Sequence, residues 1–298
     1  MLTHHCPEPR QPARVVVLGA RGFIAGAVLR RLTLDGTATL ALGSSALDLL
    51  APDAAERLAA ALKVDDTLVF ASAKAPCKDL AMLRENLVMA EAVCTALRKR
   101  PVSHVIYISS DAVYEDSREP ITEATSAAPL SLHGAMHLTR EIALREAFGG
   151  GPLALVRPTL VYGLDDPHNG YGPNRFRRLA AAGKEIVLFG EGEERRDHVS
   201  VEDVAEIVRL IARHRSAGVA NAVSGEVASF RELAEFVAAE FTPRVAVRGS
   251  PRTGPMPHGG YRPFDNHAML DAFPGFRFQR WREGLAKVHA RHSASAKS

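Results

Sequence analysis

The sequence predicts an α/β protein with a doubly wound parallel sheet and a smaller C-terminal α/β unit. Three observations carry this. Short β-branched runs alternate with helix-patterned stretches from residue 14 to residue 156. The first run ends in a glycine-rich turn that opens a helix. After Pro158 the alternation gives way to stretches rich in Gly, Pro, Asp and Asn between isolated helices.

The elements follow in order. Arg14-Val15-Val16-Val17-Leu18, stopped by Gly19, reads as a buried strand, and the helix after it runs to about Leu34. Residues 37–42 read as a second strand, 51–62 as a helix and 67–70 as a third strand. Residues 79–100 form a long helix ended by Pro101. A fourth strand at 104–109 is followed by a helix at 130–148, ended by three glycines, and by a fifth strand at 153–156. Residues 163–172 are too irregular for a core element and read as a binding loop. A helix at 173–182 and a strand at 220–223 are expected beyond it. Ser200-Val201-Glu202-Asp203 and Ser229-Phe230-Arg231-Glu232 both fit the capping-box pattern. Residues 248–263, with four Pro and four Gly, read as a loop, and 281–290 as a final helix.

Composition sets the limits. A chain of 298 residues, 46% hydrophobic and 24% charged, can bury a sizeable core, which excludes a disordered chain, a coiled coil or a fibre. No run reaches 18 apolar residues, so a membrane-spanning helix is not expected. The net charge of +3 is small and interleaved, which argues against nucleic acid as a partner. Cys6, Cys77 and Cys94 have no metal-binding spacing; their scatter suggests reduced thiols and a cytoplasmic protein. Residues 1–13 lack an apolar segment and read as a loose leader, not a signal peptide.

The turn Gly19-Ala20-Arg21-Gly22-Phe23-Ile24-Ala25-Gly26 lies between strand and helix near the chain start. Its glycines let backbone approach a pyrophosphate, and the helix N-terminus offers free N–H groups; by itself it could be a plain tight turn. The end of the second strand, Leu42-Gly43-Ser44-Ser45, has neither the acid that favours NAD nor an Arg for the 2′-phosphate of NADP. Arg21 could reach a phosphate or stay solvated. Asp48 could approach the adenine or start a helix.

Several phrases line up beyond the turn: Asn86 in Glu85-Asn86-Leu87; Ser109-Ser110-Asp111-Ala112-Val113-Tyr114; Arg157-Pro158-Thr159-Leu160-Val161-Tyr162-Gly163; the run from Leu188 through Arg196-Asp197-His198 to Ala205; Asn221-Ala222-Val223-Ser224-Gly225; and Arg262-Pro263-Phe264-Asp265. Together they resemble the extended short-chain dehydrogenases/reductases, the NAD-dependent epimerase/dehydratase family acting on nucleotide sugars, over roughly residues 14–290. The resemblance implies a Rossmann domain over 14–163, to which 197–225 returns, and a substrate-binding domain from 164–196 and 226–290, followed by a 291–298 tail. It implies NAD or NADP as cofactor, a nucleotide-sugar substrate and a homodimer through the helices holding Glu91 and His133. It places Gly19, Arg21, Gly22, Phe23, Ile24, Asp48, Ala71 and Pro158 at the cofactor.

The family's catalytic pair is a Tyr acting as acid/base at the substrate oxygen and a Lys four residues later. Here the matching positions read His133-Gly134-Ala135-Met136-His137, with no Tyr between Tyr114 and Tyr162 and no Lys between Lys99 and Lys184. Residues i and i+4 share a helix face, so both imidazoles should point where the pair would. His133 could replace Tyr as acid/base, with an ordinary pKa of about 6.5, and His137 could bind the ribose. The reaction could instead be lost and ligand binding kept. The two could also ligate a metal, for which no third ligand is evident, or be satisfied helix histidines.

Ser110 matches the family's catalytic Ser/Thr, and Asp111 the Asp that follows it in dehydratases and some reductases. Dehydratases would continue with Glu where this chain has Ala112, which argues against a 4,6-dehydratase. A Ser110–His133–Asp111 hydrolytic triad lacks a nucleophile elbow. Arg196 and Arg262 match positions that clamp the nucleotide diphosphate, a task suited to the bidentate guanidinium, although surface ion pairing would also explain them. Asn174 could touch the sugar or pyrophosphate. Tyr162 could lie near the nicotinamide or be a packed aromatic. The expected activity is an NAD(P)-dependent oxidoreductase or epimerase acting through a keto intermediate; the alternative is a family member that binds these ligands without chemistry.

Overall fold

The structure, a computed structural model of the chain, describes residues 1–295. After β1 (Leu2–His4) the chain alternates through β2 (Arg14–Leu18), α1 (Phe23–Leu34), β3 (Thr39–Leu42), α2 (Ala54–Ala61), β4 (Asp66–Phe70), α3 (Leu80–Lys99), β5 (His104–Ile108), α4 (Leu132–Phe148) and β6 (Leu153–Pro158). Then come β7 (Leu160–Tyr162), α5 (Pro173–Ala181), β8 (Ile186–Phe189), β9 (Arg195–Ser200), α6 (Val201–His214) and β10 (Ser216–Ala222). The chain continues through β11 (Val227–Ser229), α7 (Phe230–Ala239), β12 (Val247–Ser250), β13 (Tyr261–Arg262), α8 (His267–Ala272) and α9 (Trp281–Ser295).

The main sheet runs β1-β10-β6-β5-β4-β2-β3, parallel except for β1 against β10. Its strands are covered on both faces, which is why they read as unbroken apolar runs. Val15 and Val17 pack toward α1 and α6, and Val16 and Leu18 toward α2, α3 and α4. Each such buried side chain contributes about 1.5–3 kcal/mol. β3 and β4 flank β2 on opposite sides, so the strand order reverses there and opens a crevice at their carboxyl ends. Gly19 and Ala71 stand at its lip.

In the smaller unit, β9 pairs with β7, β11 and β13, while β12 pairs with β8. Phe176 of α5, Phe230 and Leu233 of α7, and Trp281 of α9 form its core. No helix among the described residues is long and apolar enough to cross a membrane.

Several expectations need correction. The leader is ordered at its start: Leu2–His4 pairs antiparallel with Gly218–Ser216, too short a strand to stand out in sequence. The proline- and glycine-rich loop at 248–263 begins inside the strand Val247–Ser250, paired with Ile186–Phe189, and ends on Tyr261–Arg262, paired with β9. Only Ser229 and Glu232 form a reciprocal capping box. Ser200 caps α6 through the Glu202 N–H, but the Asp203 carboxylate turns to Gln279. The last helix extends through Ser295 into the expected tail, whose residues 296–298 lie outside the described residues.

Candidate active site

Gly19 has φ +81°, and a Cβ there would lie 2.9 Å from Ser72 Oγ and 3.0 Å from Ser72 N, so only glycine fits the turn. Gly22 is the N-cap of α1 and provides no side-chain cap, which leaves the first N–H groups of the helix free for an anion. The turn forms one wall of a pocket lined by Gly19, Arg21, Gly22, Asp48, Ala71, Ser72 and Met89. Arg21 Nη2 donates to Ser44 Oγ at 2.6 Å, bringing a guanidinium to the end of β3. Asp48 is exposed and accepts the Leu50 N–H; α2 begins only at Ala54, so Asp48 does not start it. These groups fit a dinucleotide.

The pocket meets a larger cleft, of about 560 Å³, at Gly22, Ala71 and Ala73. Phe23, Ile24, Ser110, Asp111, His133, His137, Pro158, Asn174 and Arg196 all line it. The structure therefore gathers the predicted catalytic groups and most of the predicted ligand contacts into one place.

α4 delivers the two imidazoles. Ser131 caps it by accepting the Gly134 N–H at 3.1 Å, and Gly134 lets its first turn press on the Asp111–Val113 turn. The rings meet edge to face, with centroids 4.7 Å apart. His133 Nδ1 accepts the Cys77 N–H at 3.3 Å. His137 Nδ1 lies 2.7 Å from the Tyr107 hydroxyl. Burial holds His133 below the ordinary imidazole pKa against the opposing pull of Asp111. Burial, with repulsion from His133 and Arg140, holds His137 well below it. Both rings are thus neutral near pH 7.

Ser110 Oγ accepts the Ala112 N–H at 3.1 Å and lies 3.4 Å from Asp111 Oδ1. Asp111 is buried and faces two cations: Arg262 Nε at 3.3 Å and Arg196 Nη2 at 3.8 Å from Oδ2. Arg196 lines the cleft with a buried Nε that lacks a partner among the described residues. Arg262 does not line it. Pairing of β13 with β9 turns its side chain inward, 1% exposed, onto Asp111, Asp116 and the Tyr114 and Glu115 carbonyls. Arg262 thus stands behind the cleft wall and holds Asp111. Asn174 is at the wall but occupied, accepting the Gly163 N–H and donating to Asp166. Tyr162 is a packed aromatic, 1% exposed within the C-terminal core.

The sequence reading missed His198, Tyr171 and the cis Ala75-Pro76 wall of the cleft. His198 could have been found, because strand alternation puts it on the face of Arg196. Its Nδ1–H donates to the Arg196 carbonyl at 3.1 Å, which leaves a buried Nε2 lone pair without a partner among the described residues. Burial drives its pKa to about 3, so it accepts a hydrogen bond and stays neutral. The Cys77 amide had no sequence signal, since any residue supplies an N–H.

The chain matches the family model described as "NAD dependent epimerase/dehydratase family" over residues 15–224. It is 32% identical over 167 residues to a dTDP-L-rhamnose 4-epimerase of Burkholderia thailandensis. That match covers 53% of this chain and 46% of the relative, so the chain spans less than half the length of this curated relative. The fold superposes on a GDP-L-fucose synthetase from Naegleria fowleri with a TM-score of 0.83 at 17% identity, covering 98% of this chain and 97% of that one. It also superposes on a UDP-glucose 4-epimerase of Thermus thermophilus, in complex with NAD, with a TM-score of 0.82 at 21% identity, covering 95% and 99%.

Proposed function

The chain belongs to the NAD-dependent epimerase/dehydratase family, and from that premise we propose that it is an NAD(P)-dependent epimerase or reductase of a nucleotide-activated sugar. The carrying observation is that Ser110, Asp111, His133, His137 and Arg196 line one cleft that opens onto the glycine turn. His133 and His137 take the places of the family's Tyr and Lys. The nicotinamide, when bound, supplies or accepts a hydride at a sugar carbon. Ser110 and His133 hold the sugar oxygen as it passes between hydroxyl and ketone. That oxygen becomes strongly acidic as the hydride leaves, so its proton needs only a weak base. Ser110 Oγ relays it to the Asp111 carboxylate. Arg196 binds the diphosphate, and the free Nε2 of His198 accepts a ligand hydroxyl. Arg21 and Ser44 suit the 2′-phosphate of NADP. The reading includes a cytoplasmic homodimer joined through α3 and α4, where Leu80, Val88 and Ile142 are exposed.

A second reading is a regulatory protein that holds the same ligands without turnover. The neutral, preoccupied imidazoles where a Tyr–Lys pair would stand favour it. Titration with NAD(H) and NADP(H), then assays of wild type and His133→Ala on UDP-, GDP- and dTDP-sugars from pH 6 to 9, separate the two. The proposal expects dinucleotide binding and turnover lost in the variant. Binding without turnover on any sugar supports the regulatory reading. No binding of either dinucleotide refutes both.

A further inference from the structure

Two donors sit behind the paired imidazoles, and each decides where a proton resides. A backbone amide can only donate, so His133 Nδ1 must present a lone pair to the Cys77 N–H. In the neutral ring the proton is then on Nε2. An imidazolium would place a second N–H against the amide. Tyr107 acts in the same way on His137. A phenol is a good donor and an imidazole nitrogen a good acceptor, so the 2.7 Å contact runs from the hydroxyl to Nδ1.

The Arg140 guanidinium reinforces that direction. It is fully buried, donates to the Asn86 and Ser72 carbonyls, and packs over the Phe70 and Tyr107 rings. A cation beside the phenol draws its lone pairs and turns the O–H toward His137. The same cation repels a proton from that ring. Among the described residues the hydrogen bonds of both rings run through Nδ1, none reaches either Nε2, and both rings line the cleft.

We infer that His133 and His137 are a fixed pair of Nε2–H donors, set by the Cys77 amide and the Tyr107 hydroxyl, that bind acceptor oxygens of the ligand and exchange no proton. Tyr107 is thus a positioning residue acting through His137. The pair suits a ketone oxygen and a ribose hydroxyl, an identification that rests on the function proposed above. The acid/base role expected of His133 is replaced by hydrogen bonding of a developing oxyanion. Of the charged and titratable groups facing the pair, Arg140 and Tyr107 oppose or divert a second proton. Asp111 alone favours one at His133, and it is itself held by Arg196 and Arg262.

The test is imidazole 15N–1H correlation spectroscopy on the intact protein from pH 5.5 to 8, with signals assigned through His133→Gln and His137→Gln. Both rings should show a protonated Nε2 and a bare Nδ1, with no titration between pH 6 and 7.5. In Tyr107→Phe, His137 should become a tautomer mixture while His133 stays fixed, and the dinucleotide Kd should rise about fivefold, as for one lost hydrogen bond. An Nδ1–H form in either ring, or titration of either between pH 6 and 7.5, would overturn the inference. So would an unchanged His137 spectrum in Tyr107→Phe. The spectra need neither ligand nor turnover, so they decide the tautomers even if the proposed function fails.

Discussion

Replacing Gly134 by alanine would put a methyl group 1.9 Å from the Ala112 carbonyl oxygen and 2.8 Å from Pro129 Cβ. An ordinary C···O approach is no closer than about 3.3 Å, so the two backbones must part by about 1.4 Å. Neither can yield cheaply: the Gly134 N–H is held by Ser131, and the 111–113 turn by Ser110 and Arg262. Overpacking against backbone on this scale costs about 3 kcal/mol, a loss of about 6–12 °C in Tm. The movement also separates His133, on one side of the contact, from Ser110 and Asp111 on the other. A misplacement of this size lowers kcat/KM about 100-fold, whereas the remote glycine turn keeps its dinucleotide Kd within about threefold. Gly26→Ala in α1 is the matched control, since its Cβ meets only Arg30 Nη1, at 3.6 Å. It should be neutral or stabilising by up to about 1 kcal/mol. Thermal unfolding, dinucleotide titration and turnover measure all three quantities. A Gly134→Ala protein that melts with the wild type and turns over normally would show that α4 does not press on the 111–113 turn.

The buried pair of Glu141 and Arg157 is bidentate, at 2.9 and 2.6 Å, and Ser109 donates to the same carboxylate. Glu141→Leu should cost about 3–5 kcal/mol in urea unfolding, and adding Arg157→Met should recover at least half; strictly additive losses would contradict this. His104 is buried and pushed from 6.5 down to about 4. Its unfolded form therefore takes up a proton first as pH falls below 6.5, and stability is lost progressively toward pH 4. His104→Gln should lose about 2–3 kcal/mol less than wild type between pH 6.5 and 4.5, and equal losses would exclude His104 as the source. Arg21→Ala should raise the NADPH Kd about tenfold and the NADH Kd less than threefold; equal effects would show that Arg21 does not meet the 2′-phosphate.

The sheet was legible because its strands are covered on both faces, so Val15 to Leu18 form a pure apolar run and the helices between carry clear start and stop residues. The glycine turn, Ser110 and the imidazole pair were legible because they are local in sequence. What escaped was set by distant contacts. β1 depends on pairing with a strand more than 200 residues away. Arg262 and Arg196 looked alike, yet only pairing of β13 with β9 determines that one is sealed against Asp111 and the other faces the cleft. The state of His133 depends on an amide 56 residues upstream. Tyr107 read as an interior strand residue, and nothing local marks its hydroxyl as the partner of His137.

The antiparallel strand at the start of the chain has one more effect. Leu2–His4 covers the first three residues, Ser216–Gly218, of the outer edge of β10, with His4 tied to the Ser216 hydroxyl and the Ala272 carbonyl. Behind it the main sheet would end in a row of unpaired backbone N–H and C=O groups along a flat parallel strand, a ready template for recruiting a strand from another molecule. Those three residues leave the sheet with a shorter edge strand, which blunts that template. Pulling them away would lengthen the open edge of β10 and raise the tendency of copies of the protein to pair along it.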